Sequence, residues 1–200
     1  MNQTVWSLMD QYKGTLPAKI ARHHQVNPNT LKRMEKKGLL EKDATGIYTF
    51  PGQFADEFFA LQQRFTKGIF SHETALFLHG LSDENIGEYV MTFPYGYHNP
   101  RLGDHFVIQK TVRKERYGLG TMSLSSPAGN PLTVYNLERT LCDLWHPRHE
   151  ADQYLKVAAL KRYMKRYMKC PDKDLFRLAQ YAKQLGVGKE LATAVEVLRT

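Results

Sequence analysis

The chain has 200 residues, 42% hydrophobic and 12% aromatic, which is apolar material for one ordinary core and a small second one, so two domains are expected. A formal charge of +8 draws polyanions such as nucleic acid or an anionic membrane surface. Two cysteines, Cys142 and Cys170, are too few for a disulfide framework, no window approaches the roughly 18 apolar residues of a membrane span, and the start MNQTVWSLMD has no signal-peptide pattern, so a cytoplasmic protein without membrane association is expected.

Val5, Trp6, Leu8 and Met9 cluster at helical spacing in residues 2–12, and KGT then breaks the pattern, which places the first helix. LPAKIARHHQV predicts a second helix, with Pro17 in its first turn and Leu16, Ile20 and Ala21 facing a core. After a short turn, Asn27 is placed to cap a third helix and Pro28 to preset its first turn. Leu31 and Met34 point inward there, Asn29, Thr30, Lys32, Arg33, Lys36 and Lys37 spread over the remaining surface, and Gly38 stops the helix. LLEKDATGIYTF reads as two short strands around a turn at residues 44–46.

Three helices and a hairpin predict a winged helix-turn-helix over residues 1–52, with the third helix in the major groove of DNA. Eight basic residues in this segment (Lys13, Lys19, Arg22, Lys32, Arg33, Lys36, Lys37 and Lys42) face four acidic ones (Asp10, Glu35, Glu41 and Asp43). Asn29, Thr30 and Arg33 lie near the helix start and are the candidates for base edges, where a bidentate contact discriminates by about 1–3 kcal/mol. Lys32, Lys36 and Lys37 are expected on phosphates, with Lys42 of the hairpin as a further DNA contact. The competing reading is a protein-interaction module with solvated lysines on an idle face.

Residues 53–200 form the expected second domain, giving an α+β fold overall: a mixed α/β segment over about 70–135 and a helical part over about 136–200. Phe54, Phe58, Phe59, Leu61 and Phe65 suggest a joining helix packed on that domain. In SHETALFLHGLSD, Ser71 is a plausible cap, Ala75, Leu76 and Leu78 supply an apolar side, and Gly80 ends the helix. EYVMTFP, HFVIQKTV and LTVY read as strands between turn clusters. Asn136 then caps LERTLCDLW, an amphipathic helix with Leu137, Leu141 and Leu144 on one side.

FSHETALFLHGLSD and VYNLERTLCDLW, separated by a β-rich segment and preceded by a winged helix, resemble the AbiEi family of antitoxins from bacterial abortive-infection toxin-antitoxin systems, over essentially the whole chain. The resemblance implies a bifunctional, non-catalytic protein. Its N-terminal domain would repress its own operon at inverted-repeat operator DNA, with half-sites spaced by the helical repeat of about 34 Å or its multiples. Its C-terminal domain would counter a nucleotidyltransferase-like toxin as a type IV antitoxin, without needing a stable complex. The alternative is a ligand-sensing winged-helix regulator without antitoxin activity.

Residues 154–169, YLKVAALKRYMKRYMK, carry six basic side chains and no acidic one. Leu160, Met164 and Tyr167 form an apolar face, while Lys161, Arg162, Lys165, Arg166 and Lys169 form a stripe expected to face a polyanion or a partner, because unrelieved like charges at this spacing repel. Two further helices follow, separated at Gly186 and Gly188.

Catalytic patterns are weak. His72 and His79 are too far apart along one helix to share a metal, Cys142, His146 and His149 have no second ligand pair, and Asp104 with Lys110 lacks the intervening carboxylate of a nuclease, since residue 108 is Ile108. GLG at residues 118–120 lacks the Lys and Ser or Thr of a phosphate loop. Neither a cofactor nor a metal is expected, nor an enzyme.

Overall fold

The computed structural model describes residues 2–43, 46–83, 87–149, 151–169 and 175–198, with backbone alone for Asn2 and residues 167–169. Among these residues the fold is mixed α/β, with ten α-helices and two sheets. It divides into two compact units, Met1–Thr66 with Leu124–Leu132, and Lys67–Ser123 with Thr133–Thr200.

In the first unit, helix α1 (Asn2–Gln11) buries Val5, Leu8 and Met9, and Lys13 and Gly14, both at positive φ, then turn the chain. Strand β1 (Thr15–Pro17) follows, where the sequence suggested only the onset of a helix. Pro17 accordingly precedes helix α2 (Ala18–His23) instead of opening its first turn, and Leu16 is buried from a strand. Helix α3 (Pro28–Lys36) begins as expected: Asn27 Oδ1 accepts from the Asn29 N–H at 2.9 Å and Pro28 fills the first turn. It ends at Gly38, whose φ of +67° lets the Gly38 and Leu39 N–H groups close on the Glu35 and Met34 carbonyls. Strands β2 (Glu41–Lys42) and β3 (Ile47–Thr49) form the expected antiparallel hairpin, and β1 adds to it in the order β1-β3-β2. Residues 44 and 45 of the expected turn lie outside the described residues.

Helix α4 (Glu57–Arg64) belongs to this unit, so the boundary falls after Thr66 and not at residue 52. Three ties explain the difference. Phe59 stacks on Tyr12 with ring centres 5.4 Å apart, and the Asp56 N–H donates to Thr15 Oγ1 at 2.8 Å. The Asp56 carboxylate caps α4 through the Phe59 N–H and also accepts from Ser126 Oγ and Asn130 Nδ2, which anchors the distant 124–132 segment. Phe54, expected on the joining helix's apolar side, precedes α4 and is fully exposed.

The five-stranded sheet β6-β5-β4-β8-β7 belongs to the second unit except for the end of β7 and the start of β8. Its strands are β4 (Ile69–Phe70), β5 (Tyr89–Pro94), β6 (Val107–Val112), β7 (Thr121–Ser125) and β8 (Pro131–Tyr135), of which β4 and β7 escaped the sequence reading. β4 runs antiparallel to β5 and parallel to β8, and β5 runs parallel to β6. Helix α5 (His72–Leu78) follows β4, and a short helix α6 (Lys114–Tyr117) follows β6.

Helix α7 (Leu137–Leu144), capped by Asn136 through the Arg139 N–H at 3.0 Å, is buried on every side rather than on one. It packs against α5, α8 (Gln153–Lys169) and α9 (Leu175–Leu185), and α10 (Gly188–Val197) packs on α9. Leu76, Leu141, Leu144, Leu160, Tyr163, Leu178 and Val187 make the core between them. The polar side of α7 is tolerable there because its charges are paired and all but Nη2 of Arg139 among its buried side-chain polar atoms find partners. Arg139 Nε lies 2.9 Å from each Asp143 carboxylate oxygen, its Nη1 donates to the Arg116 and Leu119 carbonyls, and its guanidinium covers the Tyr135 ring at 4.3 Å. Glu138 accepts from the Tyr163 hydroxyl at 3.1 Å. Gly120, at φ +77°, leaves room for this arrangement, since a Cβ there would stand 2.7 Å from Arg139 Cβ.

Removing one partner of a buried ion pair strands the other, so Arg139→Leu should lose about 3–5 kcal/mol of stability in urea unfolding. Arg139→Met combined with Asp143→Leu should recover most of that loss. A single-variant loss under about 1 kcal/mol would contradict the role given to Arg139.

Candidate functional site

Thr30, Leu31 and Met34 are the buried residues of α3, and the opposite face carries Asn29, Lys32, Arg33, Lys36 and Lys37, all exposed. Thr30 is a correction. Only 2% of it is accessible, because it stands beside Leu31 and one turn before Met34 on the inward stripe, so it is not available to a base edge. The other base-edge candidates, Asn29 and Arg33, are four apart and share a face.

Lys42, exposed on β2, holds its ammonium 5.9 Å from the centre of the Tyr48 ring, which lies across from it on β3. Burial, with the Glu35 charge in support, raises the Tyr48 hydroxyl above its ordinary pKa and keeps it neutral. All eight basic residues of the N-terminal segment are exposed, and none makes an ion pair among the described residues. Lys19, Arg22, His23 and His24, on and just after α2, add to this surface.

The α8 stripe is divided. Arg162 donates to the Leu81 carbonyl at 3.0 Å and to Asp83 at 2.6 Å, and Arg166 donates to the His79 carbonyl at 2.8 Å. These two guanidiniums tie α8 to the end of α5 while remaining exposed. Lys161 and Lys165 are exposed, while the Lys169 side chain lies outside the described residues.

The second unit also assembles a polar cluster that the sequence did not reveal. Ser71, expected as a cap of α5, makes no side-chain cap; its hydroxyl instead meets His72 Nδ1 at 2.9 Å and accepts from Thr92 at 2.9 Å. His72, at φ +52°, meets not His79 but His149, with ring centres 4.4 Å apart. His149 Nε2 lies 2.7 Å from Glu73 Oε1. His79 is engaged elsewhere, with Nε2 2.7 Å from the Tyr135 carbonyl oxygen. No periodicity links residues 71–73 to residue 149; the pairing comes only from α5 packing on α7, whose exit carries His149.

Burial first, then the charges of His149, Lys110, Arg139 and His146, hold His72 well below the usual imidazole pKa. Burial would raise the Glu73 carboxyl, but the hydrogen bond and charge of His149, with Lys110 adding, keep it below the ordinary carboxylate value. Burial pushes the Cys142 thiol up, which removes its nucleophilic character, and Cys170 lies outside the described residues. Among the described residues no group of three His, Cys, Asp or Glu side chains is placed to hold a metal, and no helix is long and apolar enough to cross a membrane.

His72 and Glu73 act in the same direction, whereas Asp143, whose carboxyl burial raises to about 6, acts in the opposite one, its contribution growing as pH falls through that value. A depressed imidazole makes the unfolded chain the better proton binder below about pH 6.5, so stability falls as pH drops from there toward the lower folded value. The Glu73 contribution is present above the unfolded carboxylate pKa and disappears as pH falls through its lower folded value. Between about pH 7 and about pH 5 the urea midpoint of His72→Asn, a residue that tolerates positive φ, should therefore fall less, or rise more, than that of the wild type. An unchanged pH profile in that variant would contradict the assignment to His72.

The fold is similar to the crystal structure of RV2827C protein from Mycobacterium tuberculosis, with a TM-score of 0.56 at 14% identity, covering 91% of this chain and 70% of that one. At that identity the likeness shows the fold alone. No protein-family model matches the chain, and no curated protein does.

Proposed function

We propose that the first unit is a winged helix-turn-helix, with α2 and α3 as the helix pair and β2–β3 as the wing, and that it binds double-stranded operator DNA with the exposed face of α3 in the major groove. The observation that carries this is the set of exposed, unpaired cations Lys32, Arg33, Lys36 and Lys37 opposite the buried stripe of α3. Cations left in water without ion-pair partners are available to release phosphate counterions. Asn29 and Arg33 read base edges in this proposal, and Lys32, Lys36, Lys37 and Lys42 hold phosphates.

The protein is proposed to act as an autorepressor and antitoxin. Its second unit would counter a nucleotidyltransferase-like toxin without requiring a stable complex, a reading that rests on the motif pair in residues 70–83 and 134–145. A ligand-sensing regulator is the second reading, favoured by the partly accessible cluster around His149 and Glu73.

Gel-shift titration on the protein's own upstream region tests the DNA half. Arg33→Ala should lose about 1–3 kcal/mol of preference for its site over random duplex. Lys36→Ala should weaken both complexes alike and lower the salt slope by about 1. Equal binding to random duplex by the wild type would remove the proposal. Replacing Lys32, Arg33, Lys36 and Lys37 together should abolish operator binding and leave toxin neutralisation intact; joint loss in a folded variant would count against two separable functions.

A further inference from the structure

The cluster in the second unit brings Ser71, His72, Glu73, Thr92, Lys110 and His149 together. We infer that it is a binding site for a small oxyanion, a phosphate or phosphomonoester, held by Nδ1 of His149 and by Lys110.

Glu73 fixes His149 Nε2 as the protonated nitrogen, as a carboxylate behind an imidazole does, so gain or loss of a proton falls on Nδ1. That Nδ1 is buried without a hydrogen-bond partner, in a side chain only 10% exposed. A protonated Nδ1 is a buried donor in need of an acceptor. Lys110 makes no ion pair among the described residues. It stands across from Thr92 on the neighbouring strand, which sets the two side chains on one face of the sheet, and the Thr92 hydroxyl meets Ser71, which meets His72. Glu73 and Asp143 are set against Lys110, Arg139 and His149, an excess of one positive charge once His149 takes up a proton. An anion completes that balance. Glu73 Oε2, buried without a partner, suits the P–O–H of a monoprotonated phosphate, whereas a bare carboxylate offers no such donor. His72, held neutral, adds bulk without competing charge.

This inference stands apart from DNA binding, so its test must separate the two surfaces. The full chain is titrated with inorganic phosphate and, in a second series, with a nucleoside 5′-monophosphate, while the imidazole NMR resonances of His149 and His72 are compared with those of His23 and His24. Saturable shifts of His149 and His72, an upward move of the His149 titration midpoint, and affinity that falls as pH rises are expected. Lys110→Met and His149→Gln should each weaken binding at least about tenfold. Tighter binding of the mononucleotide would identify the ligand as phosphate carried on a larger molecule, and equal or weaker binding as free oxyanion. Shifts confined to His23 and His24, or undiminished His149 shifts in Lys110→Met, would overturn the inference.

Discussion

A guanidinium removed from water must find a counter-charge and acceptors for its donors, and Arg139 draws several elements together in satisfying Nε and Nη1, although its Nη2 is buried without a partner. One side chain engages Asp143 on its own helix, the Arg116 carbonyl of α6, the Leu119 carbonyl of the α6–β7 connection and the ring of Tyr135 on β8. With its charge paired and Nε and Nη1 satisfied, α7 can lie buried on all sides and serve as the post on which α5, α8 and α9 pack. The placement of His149, at the exit of α7, against α5 follows from that post. The polar cluster is thus a consequence of the core's construction.

The two units treat positive charge differently. On α3 the helix interior takes Thr30, Leu31 and Met34, and the cations remain solvated and unpaired. On α8, Arg162 and Arg166 close the end of α5, a structural use that a like-charged stripe does not announce. Planar guanidiniums suit carbonyl groups at a helix end, whereas Lys161 and Lys165, compact ammoniums on flexible stems, stay exposed. A basic run is therefore ambiguous until each head group's neighbours are known.

Local signals in the sequence were legible: the Asn27 and Asn136 caps, the stops at Gly38 and Gly80, and the hairpin strands all act over a few residues. Strands β1 and β4 have three and two residues, too few for periodicity, and exist because distant partners pair with them. The same limit misplaced Ser71, whose neighbours Thr92 and His72 win its hydroxyl from the helix start, and Thr30, where a polar side chain on a basic helix reads as surface. Of the candidate interface, the cations of α3 and Lys42 were legible from type and spacing. The Glu73–His149 pair, which no local pattern encodes, was not.

The central claim is that the exposed face of α3 meets DNA. Chemical-shift mapping on titration with a duplex from the chain's own upstream region tests it most directly, since each helix reports separately. The account predicts the largest changes at Asn29, Lys32, Arg33 and Lys36, with Lys42 following and Thr30 moving only as part of the core. Changes concentrated at Lys161 and Lys165 with α3 silent would contradict it.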